Sequence, residues 1–205
     1  MECAKAAREI AHGPLCDPAR GGRPMIYLNI GEPDFTAAPL VVEAAARCMA
    51  EGRTQYTPAT GTPQLREAIS RWYAERFRLA IDPGRIVVTA GASAALQLIT
   101  LALVDAGDEV LIPSPDYPLY TAVVSLSGGT PVHYRCDEGA GWLPDLADIR
   151  AKVSARTKAI VVINPNNPTG ALYPQDLLQG IVEIARQHQL IVFADEIYDK
   201  TLYDG

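Results

Sequence analysis

No apolar run in this 205-residue chain approaches the roughly 20 residues that a membrane-spanning helix needs. A membrane partner is therefore not expected. The opening residues, Met1-Glu2-Cys3-Ala4-Lys5, lack the apolar core of a secretory signal. No Lys/Arg-rich run occurs and the formal net charge is -6, which argues against a nucleic-acid partner. Cys3, Cys16, Cys48 and Cys136 are widely separated, and no C-x-x-C pair is present. His12, His133 and His188 are equally scattered, so no metal or redox motif stands, and four thiols in a reducing cytosol is the expectation. The dinucleotide fingerprint G-x-G-x-x-G is missing as well.

What remains is an ordinary globular composition, 48% hydrophobic and 20% charged. Ala4 to His12 reads as a short helix, and Met25 to Ile30 as a strand ending in the breaker Gly31-Glu32-Pro33-Asp34. Pro39–Glu51 and Thr62–Phe77 have helical spacing, separated by the irregular Gln55-Tyr56-Thr57-Pro58-Ala59-Thr60-Gly61. From residue 85 strands and helices alternate. The strands are expected at Arg85–Thr89, Glu109–Ile112, Pro131–Arg135, Lys158–Ile163 and Leu190–Ala194. The helices are expected at Ala92–Val104, Tyr117–Leu126, Leu143–Val153 and Pro174–His188. Such alternation predicts an α/β fold of three layers, a mainly parallel sheet with helices on both faces.

The chain is organised around Leu190-Ile191-Val192-Phe193-Ala194-Asp195-Glu196-Ile197-Tyr198. A continuous apolar run suits a parallel strand buried on both faces. Asp195 would then sit at the strand's carboxyl end, where open α/β sheets bind ligands, or else cap a following helix. After the first strand of the series, Ala90-Gly91-Ala92-Ser93 enters a helix. Backbone N–H groups and the Ser93 hydroxyl there suit a phosphate, although Gly91 equally suits a plain tight turn. Tyr117, held among prolines, could stack on a planar group or pack under its own loop. Asn164-Pro165-Asn166-Asn167-Pro168-Thr169-Gly170 repeats Asn-Pro beyond what a turn requires, and Asn167 offers a donor and an acceptor to a ligand.

The Asn164–Gly170 segment followed by Asp195-Glu196-Ile197-Tyr198 resembles the fold-type I, pyridoxal-phosphate-dependent aminotransferases of classes I and II. Asn29–Phe35, Gln55–Gly61 and Thr89–Leu96 match the same family in the same order. Asp116-Tyr117-Pro118-Leu119-Tyr120, Val124–Gly129, Val132-His133-Tyr134 and Trp142-x-Pro144-Asp145-Leu146 look more narrowly like bacterial alanine (glutamate–pyruvate) transaminases.

The resemblance implies pyridoxal 5'-phosphate as cofactor, with Gly91, Ala92 and Ser93 on its phosphate and Tyr117 stacked on its ring. It puts Asn167 on the ring's phenolic oxygen and the substrate carboxylate, with Asn167–Pro168 cis. Asp195 would pair with the ring nitrogen and Tyr198 would donate to the phenolic oxygen. Gly31 would approach the substrate, and Tyr56 would reach a phosphate in the neighbouring subunit of a homodimer. Amino acid and 2-oxo acid substrates and a cytoplasmic location go with these roles.

The resemblance further implies an arm, part of a small domain, over residues 1–35 and an incomplete large cofactor domain over residues 36–205. The family's Schiff-base lysine matches none of Lys5, Lys152, Lys158 and Lys200. An N-terminal portion inactive alone is therefore expected, with the lysine and the rest of the small domain beyond residue 205 and the apolar faces around Leu190–Ala194 open to solvent. Other chemistry on the same site (a lyase, decarboxylase or synthase) and a non-catalytic ligand-binding module are the alternatives.

Overall fold

The computed structural model describes residues 35–201. The chain divides into two compact units, Met1–Tyr56 and Thr57–Gly205. The expected helix Ala4–His12, the strand Met25–Ile30 and Gly31 lie outside the described residues. In the first unit, helix α1 (Pro39–Ala50) opens on proline. The missing N–H is harmless in a first turn, and the fixed φ favours it.

The second unit starts with α2 (Pro63–Phe77), again opened by proline. Arg66 Nε donates to Ile86 O at 2.9 Å, a second Arg66 nitrogen donates to Pro83 O, and Ser70 Oγ donates to Ile81 O. These bonds pin the segment where the structure first departs from expectation: Arg85–Thr89 is not a strand of the sheet. Asp82 Oδ1 accepts the Gly84 N–H at 2.7 Å and caps a 3-10 turn over Pro83–Arg85, which takes up Arg85. Ile86 is then extended, but the Val88 N–H goes to Thr60 O at 3.0 Å, a lone bond to the Pro58–Gly61 turn instead of a ladder. Gly61 allows that approach, with φ at +96° and room for no Cβ, which would lie 2.7 Å from Val88 Cγ2.

After α3 (Ala92–Leu103) come β1 (Glu109–Ser114), α4 (Leu119–Leu126), β2 (Thr130–Asp137), β3 (Leu143–Pro144), α5 (Leu146–Lys152), β4 (Thr157–Ile163), α6 (Gln175–Gln187) and β5 (Ile191–Asp195). The strand order is β3-β2-β1-β4-β5. Every pairing is parallel except the short β2–β3. The chain steps one way from β1 to β2 and the other way from β4 to β5. Right-handed crossovers then put α4 and α6 on opposite faces.

Side chains alternate along each buried strand to fill both layers. Leu111, Ile160 and Val162 pack with Ile149 of α5 and Ile181 and Ile184 of α6. Val110, Ile112, Val161 and Ile163 pack with Tyr120 and Val124 of α4 and Leu96 of α3. The expected three-layer, mainly parallel α/β architecture is the one found.

Two helices start later than the spacing predicts, for local reasons. α4 begins at Leu119 because Pro118 holds Tyr117 out of the helical region. α5 begins at Leu146 because Leu143 and Pro144 pair antiparallel with β2 and Asp145 caps the helix. Asp145 Oδ1 accepts the Ala147 N–H at 2.8 Å and the Asp148 N–H at 3.2 Å. β5 departs from the burial that its apolar run suits but agrees with the expectation of faces open to solvent. Its apolar sequence predicts burial on both faces, yet none of its residues is fully buried and Val192 is 38% exposed. It pairs only with β4 among the described residues, so one edge is unpaired.

Glu109, at the start of β1, is a buried carboxylate held by Ser154 Oγ, by Arg156 through Nε at 2.9 Å, and by a second Arg156 nitrogen. The Ser154 bond, followed by the Arg156 bond and charge, holds this carboxyl below the ordinary range against the opposing effect of its burial. A depressed folded value makes the stabilisation complete above the ordinary glutamate value of about 4.3. It is lost as pH falls from there through the folded value. Glu109→Gln is therefore expected to destabilise more at pH 7 than at pH 3 in urea unfolding. A gap that is the same at both pH values would contradict it.

Candidate active site

The chain leaves β1 and β4 in opposite directions across the sheet, which opens a crevice at the carboxyl ends of these neighbouring strands. Pro115–Pro118 follows β1 on one lip, and Asn164–Gly170 follows β4 on the other. Ile163 is in register with Asp195, and the Asn164 N–H donates to Asp195 O at 2.9 Å. The second loop thus starts level with the acid that ends β5.

Asp195 engages both carboxylate oxygens. Oδ2 accepts the Tyr120 hydroxyl at 2.6 Å, and Oδ1 accepts the Ile197 N–H at 3.2 Å. No helix follows it among the described residues. Residues 197–200 form a turn, with the Asp199 N–H on Glu196 O and the Thr201 N–H on Tyr198 O. The helix-capping reading of Asp195 therefore falls away.

The asparagines of the β4 loop divide their labour. Asn164 Oδ1 accepts the Tyr173 N–H at 2.8 Å. Asn166 is 3% exposed: Oδ1 accepts the Thr169 hydroxyl at 2.8 Å and the Thr169 N–H at 3.2 Å, while Nδ2 donates to Tyr173 Oη at 3.1 Å. Burial, and after it the neighbouring Cys136, push the Tyr173 phenol far above its ordinary value, so it stays a neutral partner. Asn167 is half-buried, and its side chain makes no hydrogen bond among the described residues. The Asn167–Pro168 peptide is cis, as are Asn164–Pro165 and Ser114–Pro115.

Gly91 is the N-cap residue of α3 at φ +82°, a left-handed conformation in which glycine is at ease. No side chain caps α3 and no acidic residue lies in its first turn, leaving the leading N–H groups to an anion. Ala92 of that turn, Tyr120 and Asp195 line one cavity of about 520 Å³, walled by Leu96, Ile99 and Phe193. Of the expected site residues, the structure gathers Ala92 and Asp195 around this cavity. Gly91, Ser93, Tyr117, Asn167 and Tyr198 do not line it. Tyr117 and Tyr198 are each 38% exposed, on the β1 lip and on the turn past β5. Tyr56 is fully exposed and belongs to the first unit.

No lysine lines the cavity among the described residues. Lys152 pairs with Asp148 at 2.6 Å, and Lys158 lies 3.9 Å from Asp108. Lys200, expected as a solvated side chain, is exposed, and its ammonium lies 4.2 Å from the centre of the Trp72 ring.

Sequence reasoning missed Tyr120, Asn166 and Tyr173 as parts of the site's support. Tyr120 had a legible signal, since it stands three residues after Tyr117 at the start of a helix. Tyr173 had none, because its role rests on a fold of the chain that no periodicity announces.

The family described as Aminotransferase class I and II matches residues 23–205. The glutamate-pyruvate aminotransferase AlaA of Haemophilus influenzae is 49% identical over 190 residues, covering 90% of this chain and 46% of its own length. The alanine aminotransferase of Mycobacterium tuberculosis is 46% identical, covering 89% of this chain and 43% of its own. The solved alanine aminotransferase from Pyrococcus furiosus superimposes with a TM-score of 0.88 at 46% identity, over 91% of this chain and 48% of that one. The chain spans about half the length of the curated relatives it matches.

Proposed function

Because this chain belongs to the class I and II aminotransferases, we propose that it provides most of the cofactor-binding part of an enzyme that moves an amino group between alanine or glutamate and a 2-oxo acid. The observation that carries the reading is the single cavity shared by an uncapped helix start at Ala92 and the Asp195 carboxylate. The helix start suits a phosphate and the carboxylate a protonated ring nitrogen, so these residues fit pyridoxal 5'-phosphate. The named alanine and glutamate–pyruvate enzymes at 46–49% identity support the choice of substrates.

When bound, pyridoxal phosphate supplies an electron sink that lets an amino acid lose its α-proton. This chain's residues hold and tune that sink. The N–H groups of Gly91, Ala92 and Ser93, with the Ser93 hydroxyl, take the phosphate. Asp195 would keep a proton on the ring nitrogen, and Tyr117, Asn167 and Tyr198, which lie outside the wall of that cavity, would hold the ring face and its phenolic oxygen. Asn167 would also orient the substrate carboxylate. Tyr56 would complete the phosphate site of a partner subunit in a homodimer.

The full-length protein, loaded with cofactor, tests the substrate choice. With 2-oxoglutarate as acceptor, kcat/KM for alanine is expected to exceed that for aspartate and aromatic donors by about tenfold or more, a difference of about 1.4 kcal/mol in transition-state stabilisation. A preference for aspartate or an aromatic donor would overturn the alanine assignment. Failure to transaminate any donor would overturn the enzyme reading.

A further inference from the structure

The hydroxyl of Tyr120 has one hydrogen-bond partner among the described residues, the Asp195 carboxylate. Tyr120 is 2% exposed, its ring buried with Val124, Ile112 and Ile163 beneath the crevice. Its hydroxyl donates to Asp195 Oδ2 at 2.6 Å, across 75 residues of sequence. Burial, and with it the bond to Asp195, raises the Tyr120 phenol well above its ordinary value, so the proton stays on the tyrosine.

Resting on the assignment of Asp195 to the ring nitrogen, we infer that Tyr120 is a positioning residue that fixes the Asp195 carboxylate for the cofactor. Two donors from two elements hold the group: Tyr120 from α4 on Oδ2, and the Ile197 N–H from the turn after β5 on Oδ1. The Ile197 bond alone restrains one oxygen and leaves the carboxylate free to pivot about it. The Tyr120 bond fixes the second oxygen and hence the plane. Each oxygen keeps a further lone-pair site, so the carboxylate can still accept the ring N–H in a set orientation. Tyr120 lines the same cavity as Asp195, but its hydroxyl is spent on the Asp195 carboxylate, and it acts through that residue.

Tyr120→Phe keeps the buried ring and removes only the hydroxyl. The probe is pyridoxamine 5'-phosphate, whose amine cannot form a covalent link to a lysine, titrated by fluorescence into the cofactor-free full-length protein. Loss of a hydrogen bond to a charged group predicts that Tyr120→Phe raises the dissociation constant by about tenfold. Asp195→Asn is expected to raise it at least as much, and adding Tyr120→Phe to Asp195→Asn is expected to change it no further, because the two act as one unit. In turnover, kcat is expected to fall while KM for the amino donor holds. Tyr134→Phe serves as a control: it removes a buried hydroxyl bonded to Val161 O at 2.8 Å, and it is expected to lower the melting temperature without moving the dissociation constant.

A Tyr120→Phe protein that binds the probe as tightly as wild type, whatever its melting temperature, overturns the inference while Asp195→Asn still shows its effect. Independent, additive effects of the two substitutions overturn it as well. An Asp195→Asn protein with unchanged affinity overturns instead the assignment on which the inference rests.

Discussion

Asp195→Asn in the full-length protein is expected to fold normally and to convert bound cofactor with an amino donor slower by about two orders of magnitude or more. Asparagine keeps the size of the side chain and an oxygen able to accept the Tyr120 hydroxyl or the Ile197 N–H. It loses the charge. An anion about 4 Å from a cation favours it by roughly 4 kcal/mol at an effective dielectric near 20, and asparagine gives most of that up. The ring nitrogen then holds its proton less firmly, so the bound group withdraws electrons less well. Fold and site respond separately, since the sheet does not depend on the charge at position 195. Single-turnover absorbance with a good amino donor, run beside a melting curve, reads both, and an unchanged rate defeats the role given to Asp195.

Asn166→Leu is expected to have the largest effect on stability, a loss of about 2–5 kcal/mol in urea unfolding of the full-length protein. Asn166 is the buried hub of the β4 loop, and leucine fills its volume without replacing a single bond. The Thr169 N–H and hydroxyl lose their acceptor, while Tyr173 Oη loses one donor and keeps its contact with Cys136 Sγ; an unsatisfied buried group costs about 1–3 kcal/mol. Asn167 rides on the same loop, so KM for the amino donor is expected to rise together with the loss of stability. A stable variant with an unchanged KM would mean that the loop holds its shape without this hub. Asn167→Ala makes the contrast: it is expected to raise KM with little change in stability, because its side chain bonds to nothing among the described residues.

The sheet was legible because buried parallel strands announce themselves. Glu109–Ile112 and Lys158–Ile163 are short, continuous and apolar, and both lie within strands of the structure. β5 was legible as a strand for the same reason, while its exposure was expected only from the resemblance, since composition records the local chain and not its neighbours. Arg85–Thr89 looked like a strand for an equally local reason. Nothing in its residues reveals that Asp82 winds Pro83–Arg85 into a turn and that Val88 bonds to Thr60. In the site, residues carried by motifs, such as Asp195 and Ala92, could be named in advance. Support residues were harder to name, because the bond from Tyr120 to Asp195 joins elements 75 residues apart and the bond from Asn166 to Tyr173 closes a loop that no periodicity announces.

The position of β1 in the middle of the sheet also orders events in time. Pairing β1 with β2 joins Glu109 to Thr130 across one helix, whereas pairing β1 with β4 joins Glu109 to Thr157 across more than twice that stretch of chain. Closing the longer loop carries the greater entropy loss, and strand pairings distant in sequence are slow to form. The two lips of the crevice follow β1 and β4, so neither half of the sheet contains it by itself. In refolding, a ligand seated there can bind only after this closure, and its binding signal times the joining of the halves instead of the formation of either one.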